Sequence, residues 1–184
     1  MRGAKTIKTK NKMKQILKET RVGWTSYLVG WNINEYFRAV EKTANYLKEI
    51  PELKNANLKL WCRGSSGAMI SALLAQHLST YSCVYINHLK KEGETSHNYR
   101  PLEPDKNDIN LIVDDFVCSG ETVNIIAEKI ISNYKIQLHI EEDEINIGLV
   151  LIGDVKMEKL EFTPSLVLAN CITKSIDITK LIDL

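Results

Sequence analysis

Five short stretches of this chain are apolar almost throughout, and that limits the kind of sheet they can build. They are "LKLWC" (Leu58–Cys62), "SCVYINHL" (Ser82–Leu89), the run Ile109–Val113, "INIGLVLIG" (Ile145–Gly153) and "SLVLAN" (Ser165–Asn170). A strand with one wet face alternates apolar and polar residues. These runs do not, so both of their faces must be covered. Helical periods lie between them. Ile33, Phe37, Val40, Ala44 and Leu47 recur at steps of three and four, with Asn32 or Asn34 as cap and Pro51 beyond the end. "AMISALLAQHL" (Ala68–Leu78) reads as a largely buried helix, and Val123, Ile126, Ala127 and Ile130 share one face of another. Strands alternating with helices predict an α/β fold, a parallel sheet flanked by helices. Ligands of such sheets sit beyond the carboxyl ends of the strands.

The 184 residues suit one domain with a sizeable core. We assign it to residues 34–184, after a basic segment at 1–33. Residues 1–21 hold six Lys and two Arg against one Glu, a charge of +7, which leaves −6 on the rest of a chain whose net charge is +1. A basic tail of this kind reads as a solvated, frayed start. The acidic body argues against nucleic acid as a partner. No window approaches 18 consecutive apolar residues and no secretory signal opens the sequence, so a cytoplasmic protein without a membrane partner is expected. Cys62, Cys83, Cys118 and Cys171 show neither C-x-x-C spacing nor a companion His, so no zinc site or disulfide framework is expected. Cys62, Cys83 and Cys171 read as small core residues.

Two strand ends carry chemistry. After Val113 the chain reads "DDFVCSGETV". Free N–H groups at a helix N-terminus favour an anion, Gly120 permits close approach, and Ser119 and Thr122 add hydroxyls. The plain alternative is a capped helix start, with Ser119 or Thr122 as the cap. Asp114 and Asp115 would repel a phosphate, so they suit another part of the same ligand, such as sugar hydroxyls or a metal complex. A nucleotide-hydrolysing site of the P-loop kind would need G-x-x-x-x-G-K-[ST] upstream, and "RGSSG" at Arg63–Gly67 lacks the Lys. That segment reads as a loop whose Gly64 and Gly67 allow close approach, whose Ser65 and Ser66 can donate, and whose Arg63 offsets negative charge. The alternative is a tight turn with an exposed Arg. Lys90–Asp108 is a long polar stretch without a period, and loops of that length inside a domain are usually functional or disordered.

The pattern of Asp114, Asp115, Ser119, Gly120 and Thr122 after an apolar strand resembles the PRPP-binding motif of type I phosphoribosyltransferases, PRPP being 5-phosphoribosyl-1-pyrophosphate. Ser119 stands for the more usual Thr, and Glu121 for a small or basic residue. "CRGSSGAMISALLAQHL" resembles that family's pyrophosphate loop and the helix after it, a loop that often holds a non-proline cis peptide. "KKEGETSH" resembles the start of its mobile loop, most nearly the orotate-using kind, with Lys90, Lys91, Glu92 and His97 as loose matches and Glu94 where Lys is common. The likeness spans residues 58 to 133.

The resemblance implies a type I core with a small variable hood, to which part of 1–33 would contribute. It implies transfer of 5-phosphoribosyl from PRPP to a nucleobase, with release of pyrophosphate. Asp114 and Asp115 would hold the ribose hydroxyls and, largely through PRPP, Mg²⁺. Val117, Cys118, Ser119, Gly120, Glu121 and Thr122 would cradle the 5-phosphate. Arg63 and Gly64, Ser65, Ser66 and Gly67 would bind pyrophosphate, and Lys91 would join catalysis from the mobile loop. Cys118 stands where 6-oxopurine enzymes usually place Asp, so an orotate- or adenine-type acceptor is expected. The alternative is a non-catalytic PRPP- or nucleotide-binding regulator on the same fold. A homodimer is compatible with the resemblance.

Overall fold

The computed structural model describes residues 33–90, 103–153 and 155–169. Helix α1 (Ile33–Lys48) leads into strand β1 (Asn57–Arg63), helix α2 (Gly64–Leu78) and strand β2 (Cys83–Leu89). Strand β3 (Ile109–Asp114), helix α3 (Glu121–Leu138) and strands β4 (Ile147–Leu151) and β5 (Leu166–Leu168) complete the order. The strands form one sheet in the order β2-β1-β3-β4-β5, and every pairing in it is parallel. The expected α/β architecture is therefore present. Among the described residues no helix is long and apolar enough to cross a membrane.

The order explains how both faces are covered. From β1 the chain moves outward to β2, then returns past β1 to β3 and continues the other way. Right-handed crossovers in opposite directions place their connections on opposite faces. One core therefore joins α1 and α2 to Leu58, Leu60, Leu111, Val113 and Val150. The other joins Val123, Ile126, Ile130 and Tyr134 of α3 to Trp61, Ile112, Leu149 and Leu151. β1 and β3 are neighbours whose following helices diverge to the two faces. Their carboxyl ends thus flank the crevice at which ligands of open α/β sheets bind.

Several expectations shift in detail. On α1, Phe37 is 47% exposed, while Tyr36 is 1% exposed and sits in the core. The buried face runs through Tyr36, Ala39, Val40, Thr43, Ala44 and Leu47, one residue round from the stripe drawn through Phe37. Cys62 is buried but Cys83 is exposed, because it opens the edge strand β2; Cys171 lies outside the described residues. "RGSSG" is not a loop. Arg63 ends β1 and Gly64 already begins α2, since φ of +80° at Gly64 reverses the chain within one residue. No cis peptide occurs among the described residues.

The α3 face of β1 carries buried polar side chains. The Lys59 ammonium meets Asp108 Oδ2 at 2.6 Å and donates to the Glu103 carbonyl at 2.5 Å. Tyr134 donates to Asp108 Oδ2 at 2.8 Å, and Trp61 Nε1–H to Asn110 Oδ1 at 2.8 Å. Here residues 103–108, just before β3, lie against β1. An irregular segment offers backbone groups that need partners, and polar side chains supply them.

Candidate active site

The site grows from two strand ends. β3 closes on Asp114, which lies opposite Leu151 of β4. The next residue, Asp115, donates its N–H to Asp114 Oδ1 at 2.9 Å, and Asp115 Oδ1 accepts from the Phe116 N–H at 3.1 Å. Asp114 is buried and Asp115 half-buried. Burial raises the Asp114 carboxyl from its ordinary 3.8 to about 8, reinforced by a hydrogen bond with the Asp115 side chain and by that neighbour's charge; the Asp115 N–H pulls weakly the other way. Asp114 therefore holds a proton near neutral pH. A cation or a set of hydroxyl donors brought beside the two carboxyl groups would favour its release.

This proton makes a stability prediction. In the folded protein Asp114 keeps a proton that the unfolded chain loses near pH 4. Its contribution to stability is present below the ordinary value and is lost as pH rises through about 8. Asp114→Asn removes that loss. In urea titrations without ligand, variant and wild type should match near pH 4, and the variant should be the more stable by about 2–5 kcal/mol at pH 8. Parallel stability curves from pH 4 to 8 would contradict a proton held by Asp114.

Beyond Phe116 the chain runs as an irregular loop to Gly120, which caps α3 with φ +82° and no side-chain cap hydrogen bond. Ser119 Oγ accepts from the Glu121 N–H at 3.4 Å, a long bond of the kind the plain cap reading expects, and one such bond leaves other N–H groups of the first turn of α3 for an anion. Ser119 and Glu121 are exposed, Cys118 and Thr122 half-buried. The Val117 side chain is 4% exposed and belongs to the core, leaving only its backbone to serve a ligand.

The second strand end lies alongside. A Cβ on Gly67 would stand 2.7 Å from the Val113 carbonyl and 3.0 Å from Cys62 Cβ. The first turn of α2 is thus pressed between the ends of β1 and β3, one residue from Asp114. Gly64, Ser65, Ser66 and Gly67 all lie in that turn, Ser65 exposed and Ser66 half-buried. Arg63 is half-buried, and its Nε is enclosed without a hydrogen-bond partner. An enclosed, unpaired guanidinium N–H at a helix N-terminus is placed to meet an anion. The structure brings Arg63, Gly64–Gly67, Asp114, Asp115 and the 117–122 segment to one end of two adjacent strands. Lys91, Glu92, Glu94 and His97 lie outside the described residues. No cluster of three or more His, Cys, Asp or Glu able to hold a metal occurs among the described residues.

Sequence reasoning missed two contributors. Tyr36 of α1 is buried, and burial, with the Asp115 charge second, pushes its hydroxyl up to about 12; it lies beside the apolar stripe drawn through Phe37, and nothing in the sequence marked it. Asn124 ties the start of α3 to the segment after β4. Its Nδ2 donates to the Lys159 carbonyl at 2.9 Å, and its Oδ1 accepts from the Glu161 N–H at 3.0 Å.

No family model matches the chain, and no curated protein does. Solved structures similar to it include a purine phosphoribosyltransferase from Pyrococcus horikoshii, 18% identical, covering 76% of this chain and 84% of that one at a TM-score of 0.46. A hypoxanthine-guanine phosphoribosyltransferase from Bacillus anthracis is 13% identical over 74% of this chain and 77% of its own, with a TM-score of 0.49. A xanthine-guanine-hypoxanthine phosphoribosyltransferase from Helicobacter pylori is 13% identical over 76% and 84%, with a TM-score of 0.48.

Proposed function

We propose that this protein is a phosphoribosyltransferase, transferring 5-phosphoribosyl from PRPP to a nucleobase. The observation that carries the reading is the Asp114–Asp115 pair at the β3 end, between two helix starts opened by the positive-φ residues Gly64 and Gly120. One sugar phosphate suits that arrangement. Its 5-phosphate meets the backbone of Val117–Thr122, its 2- and 3-hydroxyls meet Asp114 and Asp115, and its pyrophosphate meets Arg63 and the first turn of α2. In the reaction the C1–O bond to pyrophosphate breaks and the electron pair leaves on that oxygen. A base nitrogen forms the new bond to C1, and its N–H proton passes to solvent. The carboxylates stabilise positive charge developing on the ribose, and positioning supplies much of the remainder.

Two adjacent carboxylates without a third ligand fit a Mg²⁺ ion that arrives with PRPP better than one held by the protein alone. When bound, it would neutralise charge on the departing pyrophosphate. Cys118 in the cradle, where 6-oxopurine enzymes usually have Asp, favours an orotate- or adenine-type acceptor, in a cytoplasmic setting. The similar structures described above are purine phosphoribosyltransferases, so the decisive panel spans orotate, adenine, hypoxanthine and guanine. With Mg²⁺ and PRPP, we expect pyrophosphate release with orotate or adenine. Release only with hypoxanthine or guanine would overturn the acceptor assignment. Calorimetric binding of PRPP without any turnover would point to a regulator, and no binding at millimolar PRPP would sink the reading.

A further inference from the structure

The 115–124 segment is braced by the chain beyond β4 as well as by its own hydrogen bonds. The Gly153 N–H donates to the Asp115 carbonyl at 2.6 Å, and the Lys156 N–H to the Val117 carbonyl at 3.2 Å. Val117 and Val155 form an isolated parallel bridge. Past β4 the chain thus continues beside the acidic loop as a narrow extension of the sheet. Farther on, Gly120 accommodates the Lys159 carbonyl, which would collide with any Cβ at that position. Asn124 joins the two segments here by hydrogen bonds through both halves of its amide. It lies in the first turn of α3, and its own N–H closes that turn on the Gly120 carbonyl at 2.9 Å.

We infer that Asn124 is a positioning residue for the 5-phosphate, fixing the Gly120–Thr122 backbone by clamping it to the Lys159–Glu161 segment. The inference rests on the functional reading above and adds a residue outside the PRPP motif. A phosphate cradle built from backbone N–H groups works only if those groups are aimed before the ligand arrives. Gly120 sits at an unusual φ and has no side chain to pack, so its conformation must be imposed from outside. The Lys159 carbonyl presses on one side of it, and Asn124 holds that carbonyl in place. Asn is suited to the task because it satisfies one backbone acceptor and one backbone donor at once. Asp would keep the bond from the Glu161 N–H and set a carboxylate against the Lys159 carbonyl.

The test separates the two ends of the substrate. Ribose 5-phosphate and Mg²⁺-pyrophosphate are titrated into wild type, Asn124→Ala and Asn124→Asp by calorimetry, with melting temperature and hydrogen exchange of residues 117–124 followed in parallel. We expect affinity for ribose 5-phosphate to fall about tenfold in Asn124→Ala and at least as far in Asn124→Asp, with affinity for Mg²⁺-pyrophosphate within about twofold of wild type. Exchange at the start of α3 should quicken. Equal losses for both ligands would mean general loosening and overturn the positioning role. So would ribose 5-phosphate binding within about twofold of wild type. Wild-type protein that binds neither ligand sinks the functional reading itself, and the role of Asn124 with it.

Discussion

The double variant Asp114→Asn/Asp115→Asn is expected to fold, to melt no lower than wild type at pH 8, and to release pyrophosphate from PRPP at least about a thousandfold more slowly, on the scale of losing two electrostatic contacts to the transition state. The two halves of this result have one origin. Asp114 is buried at the end of β3 beside a like charge, and its carboxyl is raised to about 8. In the absence of ligand that pair is a liability, so replacing it with amides relieves the fold. An amide still fills the space and can accept the Asp115 and Phe116 N–H bonds. What it lacks, for the proposed reaction, is negative charge where the ribose would become cationic, and two strong acceptors for its hydroxyls. A group retained against stability points to use in function. Turnover within tenfold of wild type would remove Asp114 and Asp115 from the mechanism, and a melting point far below wild type would refute the account of the Asp114 proton.

The fold was legible because burial on two faces leaves a plain mark. β3 reads Ile109–Val113, apolar but for Asn110, and the structure extends it by one residue, to Asp114. The acidic loop was legible for a related reason: charge directly after a buried strand needs an explanation. What escaped notice depended on neighbours that come from elsewhere in the chain. Phe37 and Tyr36 differ by one step around α1, and only the placement of α1 over the sheet decides that Tyr36 goes inside. Cys83 resembles a core residue until β2 proves to be an edge. Gly64–Gly67 looked like a loop because the sequence does not reveal that a single positive-φ residue can make the whole turn. Asn124 was silent because its partners are backbone atoms 35 and 37 residues away, and backbone atoms carry no sequence signature.

Lys59→Met is expected to lower stability by about 3–5 kcal/mol, a large share of what a domain of this size possesses. Lys59 and Asp108 have side chains only 4% and 2% exposed. Asp108 Oδ2 also accepts from Tyr134 and from the Asp105 N–H at 2.6 Å. Removing the ammonium leaves a carboxylate enclosed with neutral donors alone, and frees the Glu103 carbonyl as well. Most of the cost is thus the stranded charge rather than the pair itself. The companion variant Lys59→Met/Asp108→Asn discriminates between the two, because an amide at 108 can still accept from Tyr134 and carries no charge. It should recover half or more of the loss in urea unfolding at pH 7. The loss should change little between low and high salt, since buried charges are poorly screened. A deficit under about 1 kcal/mol for Lys59→Met would show that the pair behaves like an exposed one. The network grips residues 103–108 and the first residues of β3, whereas Asp114 stands at the other end of that strand. Well below its melting temperature, Lys59→Met should therefore bind PRPP within about twofold of wild type, as expected for independent sites. That separates what holds this sheet together from what its carboxyl end does.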